Sequence, residues 1–243
     1  MNKPQDINTK DWELLKEKYP NNLEDVIKKL STGYPIQYLI GNVEFLNTII
    51  NVDKRVLIPR FETEYLVSLI INYAKEKLNG KLSIIDLGTG SGCIAIALQK
   101  ALNASTTAID ISECALDLAK ENAKMNNVEI TFINETIEKE LKTSYDIIVS
   151  NPPYIPIDGY VADNVLEYEP HLALFAKEKG IYFYKQIINN HLKNLKKPGL
   201  MAFEIGDNEE SILKEFLEEK QISNYEFKKD LTGRIRYLFI YNE

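Results

Sequence analysis

The sequence predicts an α/β fold: a mostly parallel sheet with helices on both faces, an antiparallel edge at its C-terminal end, and a small N-terminal helical appendage followed by a β-hairpin. Three observations carry this. From Leu82 onward, short apolar runs alternate with segments of helical periodicity, the pattern of strands joined by crossover helices. Three glycines, Gly88, Gly90 and Gly92, stand at alternate positions between the first of those runs and the helix after it. The last two strand-like runs, Tyr225–Lys229 and Arg234–Tyr241, are joined at Leu231-Thr232-Gly233, a hairpin connection that makes an antiparallel edge.

Residues 1–41 are polar and carry two short helical patterns. Asp11–Tyr19 is stopped by Pro20; in Leu23–Leu30, residues Leu23, Val26, Ile27 and Leu30 share one face. Between Val43 and Leu57 the texture changes to β-branched residues separated by turn residues, which predicts a hairpin. Residues 62–78 then read as an amphipathic helix ending at Asn79-Gly80, with glycine available for a left-handed cap. Strands are expected at Leu82–Leu87, Thr106–Ile109, Glu129–Ile133, Asp146–Val149 and Gly199–Ile205. Helices are expected at Cys93–Leu102, Ser112–Met125, Gly180–Leu195 and Asn208–Lys220. The chain thus divides into a helical region at 1–41, a hairpin linker at 42–59 and a main domain at 60–243.

Composition excludes several functions. A chain of 243 residues, 44% apolar, buries a sizeable core without metal or disulfide staples. Its apolar runs, such as Leu66–Ile71, stop well short of the roughly 18 residues a membrane span requires. The opening MNKPQDINTKDW has no signal-like stretch, so a soluble, cytoplasmic protein is expected. Cys93 and Cys114, both in helical stretches, make no disulfide framework, and His171 and His191 lack neighbours at metal-ligand spacing. With 36 acidic against 29 basic side chains the net charge is −7, which argues against general binding to phosphate backbones.

The run Ile84-Ile85-Asp86-Leu87-Gly88-Thr89-Gly90-Ser91-Gly92 is a glycine loop between strand and helix, where a ligand approaches the backbone without meeting a Cβ. The dinucleotide fingerprint needs a glycine where Cys93 stands, so the loop does not match a pyrophosphate site. Asp110, at the end of the next strand, is placed to accept hydrogen bonds from both hydroxyls of a ribose. A nucleoside without a diphosphate fits both facts, and S-adenosylmethionine is the cofactor this suggests.

Asn151-Pro152-Pro153-Tyr154 follows the strand Asp146–Val149 and therefore faces the same crevice. A planar amino group is a poor nucleophile because its lone pair is delocalised, and attack on a methyl sulfonium must be in line. The Asn151 side-chain oxygen and the Pro152 carbonyl each suit one N–H of such a target, and two prolines stiffen the backbone that carries them. Tyr154 supplies a flat face for stacking and for a developing positive charge.

These residues resemble the protein-(glutamine-N5) methyltransferases that modify peptide chain release factors, the family known as PrmC or HemK. The resemblance runs from about Gly33 to Arg236. It includes Pro35–Gly41, Val43–Phe45, Leu57-Ile58-Pro59-Arg60-Phe61-Glu62-Thr63-Glu64, Asp86–Gly92, Asn151–Tyr154, Tyr168-Glu169-Pro170, Glu204-Ile205-Gly206 and Lys229–Arg234. The Asn-Pro-Pro-Tyr loop alone is shared with DNA adenine methylases, whereas Ile58–Glu64 and the segment ending at Arg234 single out this family. The resemblance implies a Rossmann-like class I methyltransferase fold over 60–243, with release factors as the protein substrate. It implies that Gly88, Thr89, Gly90, Ser91, Gly92 and Asp110 hold S-adenosylmethionine, with Glu135 and Thr136 at the adenine. It further implies that Asn151 touches both cofactor and substrate while Asn151, Pro152, Pro153 and Tyr154 grip the glutamine of a Gly-Gly-Gln loop. The chain departs from the family at Thr136, which has no ring to stack, at Phe61, where a proline is usual, and after Pro170, where the usual glycine-rich loop reads Ala173–Gly180. The helical region before Gly33 is also shorter than the family's usual N-terminal bundle.

Other residues leave two readings open. Arg60 orients substrate or cofactor, or is a surface arginine paired with Glu62 or Glu64. His171 reads as an exposed loop residue and Cys93 as a packing residue. Lys193-Asn194-Leu195-Lys196-Lys197 reads as cations at a helix C-terminus rather than a nucleic-acid patch. Amino methylation of a nucleic-acid base or of another protein's Gln or Asn by the same Asn-Pro-Pro-Tyr loop, and a non-catalytic binding role, are the rival functions.

Overall fold

The computed structural model describes Lys3, Pro4 and residues 7–243. The chain opens with α1 (Thr9–Lys18), α2 (Leu23–Ser31) and α3 (Ile36–Ile40). Asn8 caps α1, its Oδ1 accepting the Asp11 N–H at 2.9 Å. Trp12, Leu15, Val26, Leu39 and Ile40 bury against one another, so these helices own a small apolar cluster. The five residues of α3 are too few to leave a helical period in the sequence.

The hairpin follows as β1 (Asn42–Phe45) and β2 (Thr48–Asn51), ending before Leu57, and a loop leads into α4 (Phe61–Lys77). Phe61 is the first residue of α4 and is largely exposed. The helix stops at Lys77, and Gly80, with φ 80°, lies two residues past the Leu78 cap. The alternating region contains β3 (Ser83–Leu87), α5 (Cys93–Leu102), β4 (Ser105–Asp110), α6 (Glu113–Met125), β5 (Ile130–Asn134) and β6 (Tyr145–Ser150). After it come β7 (Ile155–Pro156), α7 (Asp163–Tyr168), β8 (Phe175–Ala176), α8 (Tyr182–His191), β9 (Leu195–Glu204), α9 (Glu210–Glu219), β10 (Tyr225–Lys229) and β11 (Ile235–Asn242).

The central sheet has the order β10-β11-β9-β6-β3-β4-β5. Strands β5, β4, β3, β6 and β9 run parallel, and β11 pairs antiparallel with both β9 and β10. Successive residues of the inner strands serve opposite faces. Ile84, Ile147, Leu200 and Phe239 pack on the side of α4 and α5, whereas Ile85, Ile148, Met201 and Leu238 pack on the side of α8 and α9. Both faces being covered, these strands read as continuous apolar runs. The order reverses between β3 and β6, so the loops after these two strands flank the crevice where ligands bind in such sheets.

The hairpin is fastened to this core by two amides of α6. Asn122 accepts the Asn51 N–H at 2.8 Å and donates to the Asn51 carbonyl at 3.0 Å. Asn126 treats Ile49 in the same way, accepting at 3.3 Å and donating at 2.7 Å. Each side chain thus does for β2 what a neighbouring strand would do.

The helix expected to reach Leu195 ends at His191, and a 3₁₀ turn at Leu192–Asn194 leads into β9. Lys196 and Lys197 therefore open a strand instead of closing a helix. Lys193 pairs with Glu140 and Lys196 with Asp146, each at 2.9 Å, so these cations are already partnered. Among the described residues no helix is long and apolar enough to cross a membrane, and no group of three His, Cys, Asp or Glu side chains is arranged to hold a metal ion. Cys93 is buried, Cys114 is exposed, and both are free.

Candidate functional site

A cavity of about 480 Å³ opens at the C-terminal ends of β3, β4 and β6. Gly88, Thr89, Gly90 and Ser91 form one wall, Asp110 and Thr136 a second, Asn151 and Pro153 a third.

The glycine loop is held open by its backbone. Gly88 and Gly90 have φ of 79° and 53°, a left-handed conformation that side chains other than glycine's resist. A Cβ on either would meet nothing within 4 Å, so both present bare backbone to open space. The N–H groups of Gly88 and Thr89 donate to the Ile109 carbonyl at 2.9 Å, tying the loop to the end of β4. Gly92 is different. A Cβ there would stand 3.1 Å from that of Ala119, so this glycine faces α6 and allows α5 and α6 to approach, rather than lining the cavity.

Beneath the loop, Asp86 is wholly buried. Its Oδ2 accepts the Thr89 hydroxyl at 2.6 Å, its Oδ1 finds no partner among the described residues, and burial raises its pKa to about 7. Asp110 is fixed by two backbone donors, Gly90 N–H to Oδ2 and Ser112 N–H to Oδ1, each at 2.8 Å. Each oxygen keeps lone-pair capacity toward the cavity. Bare glycine backbone, a rigid carboxylate acceptor and room for a nucleoside fit S-adenosylmethionine.

The adenine positions behave unequally. Thr136 lines the cavity and donates to Glu138 at 3.1 Å. Glu135 instead turns to Lys139, an ion pair that occupies its carboxylate. Ile111, which is 57% exposed, and the buried Ile137 add apolar surface to the cavity lining. Sequence reasoning missed both, because an isoleucine beside a strand end reads as ordinary core.

Asn151 is half-buried at the cavity wall, its Nδ2 donating to Thr63 Oγ1 at 3.1 Å. Pro152 is buried and Pro153 faces the cavity. Tyr154 points into a second, smaller cavity of about 260 Å³, shared with Arg60, Glu62, Glu204 and Arg236. Burial raises its hydroxyl pKa well above the usual value.

Arg60 lines both cavities and pairs with neither Glu62 nor Glu64. Its Nη2 donates to Glu169 Oε1 at 2.5 Å, and Glu169, almost fully buried, also accepts the Ile58 N–H at 2.9 Å. Glu169 thereby joins the Ile58–Glu64 segment to the Tyr168-Glu169-Pro170 segment, a long-range pairing that local sequence reading does not reveal. His171 is exposed, edge-on to Phe175, and makes no contact with Asn151–Tyr154 among the hydrogen bonds of the described residues.

Residues 64–169 match the family described as methyltransferase small domain. A methyltransferase from Pyrococcus furiosus superposes with a TM-score of 0.58 at 18% identity, over 92% of this chain and 98% of that one. A 16S rRNA methyltransferase from T. thermophilus, solved in complex with AdoMet and guanosine, superposes at 0.59 and 14% identity, over 83% of this chain and 50% of that one. Both likenesses establish the class I methyltransferase fold. The release factor glutamine methyltransferase of Streptococcus pneumoniae is 42% identical over 235 residues, 94% of this chain and 82% of the relative. Identity at that level along nearly the whole length reaches beyond a shared fold, and the chain belongs to the release factor glutamine methyltransferase family.

Proposed function

We propose that this chain uses S-adenosylmethionine to methylate the side-chain amide nitrogen of the glutamine in the Gly-Gly-Gln loop of a peptide chain release factor. The observation that carries this reading is the convergence of Gly88–Ser91, Asp110 and Asn151 on one cavity. Residues 60–243 act as the catalytic domain, residues 1–41 engage the protein substrate, and the hairpin at 42–59 links the two. When bound, the cofactor supplies an electrophilic methyl group on a sulfonium.

The chain's own residues do the rest. The backbone of Gly88–Ser91 and the Asp110 carboxylate hold the nucleoside, and Ile111 and Ile137 flank its ring. Asn151 Oδ1 and the Pro152 carbonyl each accept one N–H of the glutamine amide, which fixes its plane and concentrates electron density on its nitrogen. Tyr154 closes the substrate side with its ring. A strong general base is unnecessary, because the amide nitrogen becomes acidic once alkylated.

The −7 charge and the pairing of Lys193 and Lys196 favour a protein over a nucleic-acid substrate. The test is incubation with methyl-labelled S-adenosylmethionine and, in parallel, release factor or duplex DNA, with the label located by mass spectrometry. Label is expected on the release-factor glutamine. Label on DNA alone overturns the reading, and no label with either favours a non-catalytic binding protein.

A further inference from the structure

An asparagine amide has two ends of opposite polarity, and half a turn about its last bond exchanges the carbonyl acceptor for an N–H₂ donor. The proposed reaction needs the acceptor end of Asn151 toward the substrate nitrogen. Nothing within Asn151–Tyr154 selects that end. The selection comes from elsewhere in the fold. Asn151 Nδ2 donates to Thr63 Oγ1 at 3.1 Å, and the Thr63 hydroxyl donates to Glu204 Oε2 at 2.6 Å. Thr63 is 3% exposed and Glu204 2% exposed, so the contact between them is shielded from water.

The direction of this chain is forced from its far end. Burial raises the Glu204 pKa to about 7; above that pH its carboxylate is ionised and only accepts, so the single Thr63 proton goes to Glu204. The Thr63 oxygen is then left as the acceptor for Asn151, which turns Nδ2 toward Thr63 and Oδ1 away from it. Thr63 lies on the first turn of α4 and Glu204 on the last residue of β9. Three elements thus meet at one amide.

We infer that Thr63 and Glu204 are positioning residues that hold the Asn151 side chain with its carbonyl oxygen toward the substrate amide. This rests on the methyl-transfer reading above. Thr63 lines the main cavity and Glu204 the smaller one beside Tyr154, and the role inferred for both is exerted through Asn151.

Thr63→Val keeps the shape and removes the hydroxyl, and Thr63→Ser returns it. At pH 8, Thr63→Val is expected to lower kcat for the release factor on the order of tenfold to a hundredfold, the scale of a misoriented reacting group, with S-adenosylmethionine affinity within about twofold of wild type. Thr63→Ser is expected to recover most of the wild-type kcat. A second measurement needs no activity. The side-chain N–H₂ resonance of Asn151, assigned by its loss in Asn151→Ala, is expected to be protected from hydrogen exchange in wild type and Thr63→Ser and unprotected in Thr63→Val. Wild-type kcat in Thr63→Val, failure of Thr63→Ser to recover, or an Asn151 amide equally protected in all three overturns the inference. If wild type transfers no methyl to release factor, the functional reading fails, and the exchange experiment still decides the role of Thr63.

Discussion

Gly180 lies so close to Tyr154 that a Cβ on the glycine would overlap both the Tyr154 carbonyl oxygen and the Glu209 carboxylate. Its φ of 97° is a second barrier to any side chain. Gly206 completes the knot: its N–H donates to Glu209 Oε2 at 2.7 Å, and a Cβ there would stand 2.9 Å from the Tyr154 ring. Gly180→Ala is therefore expected to destabilise the protein by at least about 1–3 kcal/mol from backbone strain alone, and to lower methyl transfer by displacing Tyr154. A urea midpoint and a single-turnover rate check both effects; an unchanged midpoint contradicts the packing argument.

Asn151→Ala removes the amide but leaves the glycine loop and Asp110 intact. Methyl transfer is expected to fall by about a hundredfold or more, whereas the cofactor Kd, read by calorimetry, stays within a few-fold. Transfer at the wild-type rate would remove Asn151 from its proposed role.

Asp110→Ala should show the opposite division. The loss of a charged acceptor, worth about 1.5–3 kcal/mol per hydrogen bond, is expected to weaken S-adenosylmethionine binding by roughly tenfold to a hundredfold. Calorimetry reads this directly, and unaltered affinity would take Asp110 out of the cofactor site.

The raised pKa of Asp86 makes stability depend on pH in a predictable direction. Unfolded, this carboxyl releases its proton near 3.8, and folded it keeps the proton to about 7. Between those values the folded chain binds more protons, so this group's contribution to stability falls as pH rises and is fully lost above pH 7. Asp86→Asn removes the ionisation. Relative to wild type, the variant should gain stability steadily from pH 4 to 7, by about 4 kcal/mol at about 1.4 kcal/mol per pKa unit, and no further beyond. A difference between the two proteins that is constant with pH contradicts this origin.

The two thiols should differ sharply in reactivity. Burial raises the Cys93 pKa to about 12, while Cys114 lies exposed on α6. Iodoacetamide at neutral pH is expected to label Cys114 alone in the native protein and both cysteines in urea, as read by mass spectrometry. Rapid native labelling of Cys93 would mean that the start of α5 opens readily.

Much of this was legible in the sequence because it is local. Alternating apolar runs announced the sheet, Leu231-Thr232-Gly233 its hairpin edge, and the glycine loop and Asn151–Tyr154 announced themselves by composition. The rest depends on pairings between distant segments. Glu169 holds Arg60, Glu204 holds Thr63, and Asn122 and Asn126 hold the hairpin; nothing in the neighbourhood of any of these residues names its partner. The places of Gly92 and Glu135 in the fold were likewise not read from the sequence. Gly92 answers to α6, which only the folded chain brings near, whereas Glu135 answers to Lys139 four residues on, a local pair that the sequence itself contains. Short elements such as α3 and α7 were invisible because fewer than two helical turns carry no period.

Strand β11 is late in the chain yet interior in the sheet, lying between β9 and β10, with Tyr237, Leu238, Phe239 and Ile240 each at most 1% exposed. The apolar edge of β9 is therefore covered only by a strand that lies late in the sequence. Nascent chains arrested earlier present an open, hydrophobic strand edge to their surroundings. Removal of residues 235–242 is thus expected to leave β9 with an open apolar edge, the kind of edge that invites aggregation.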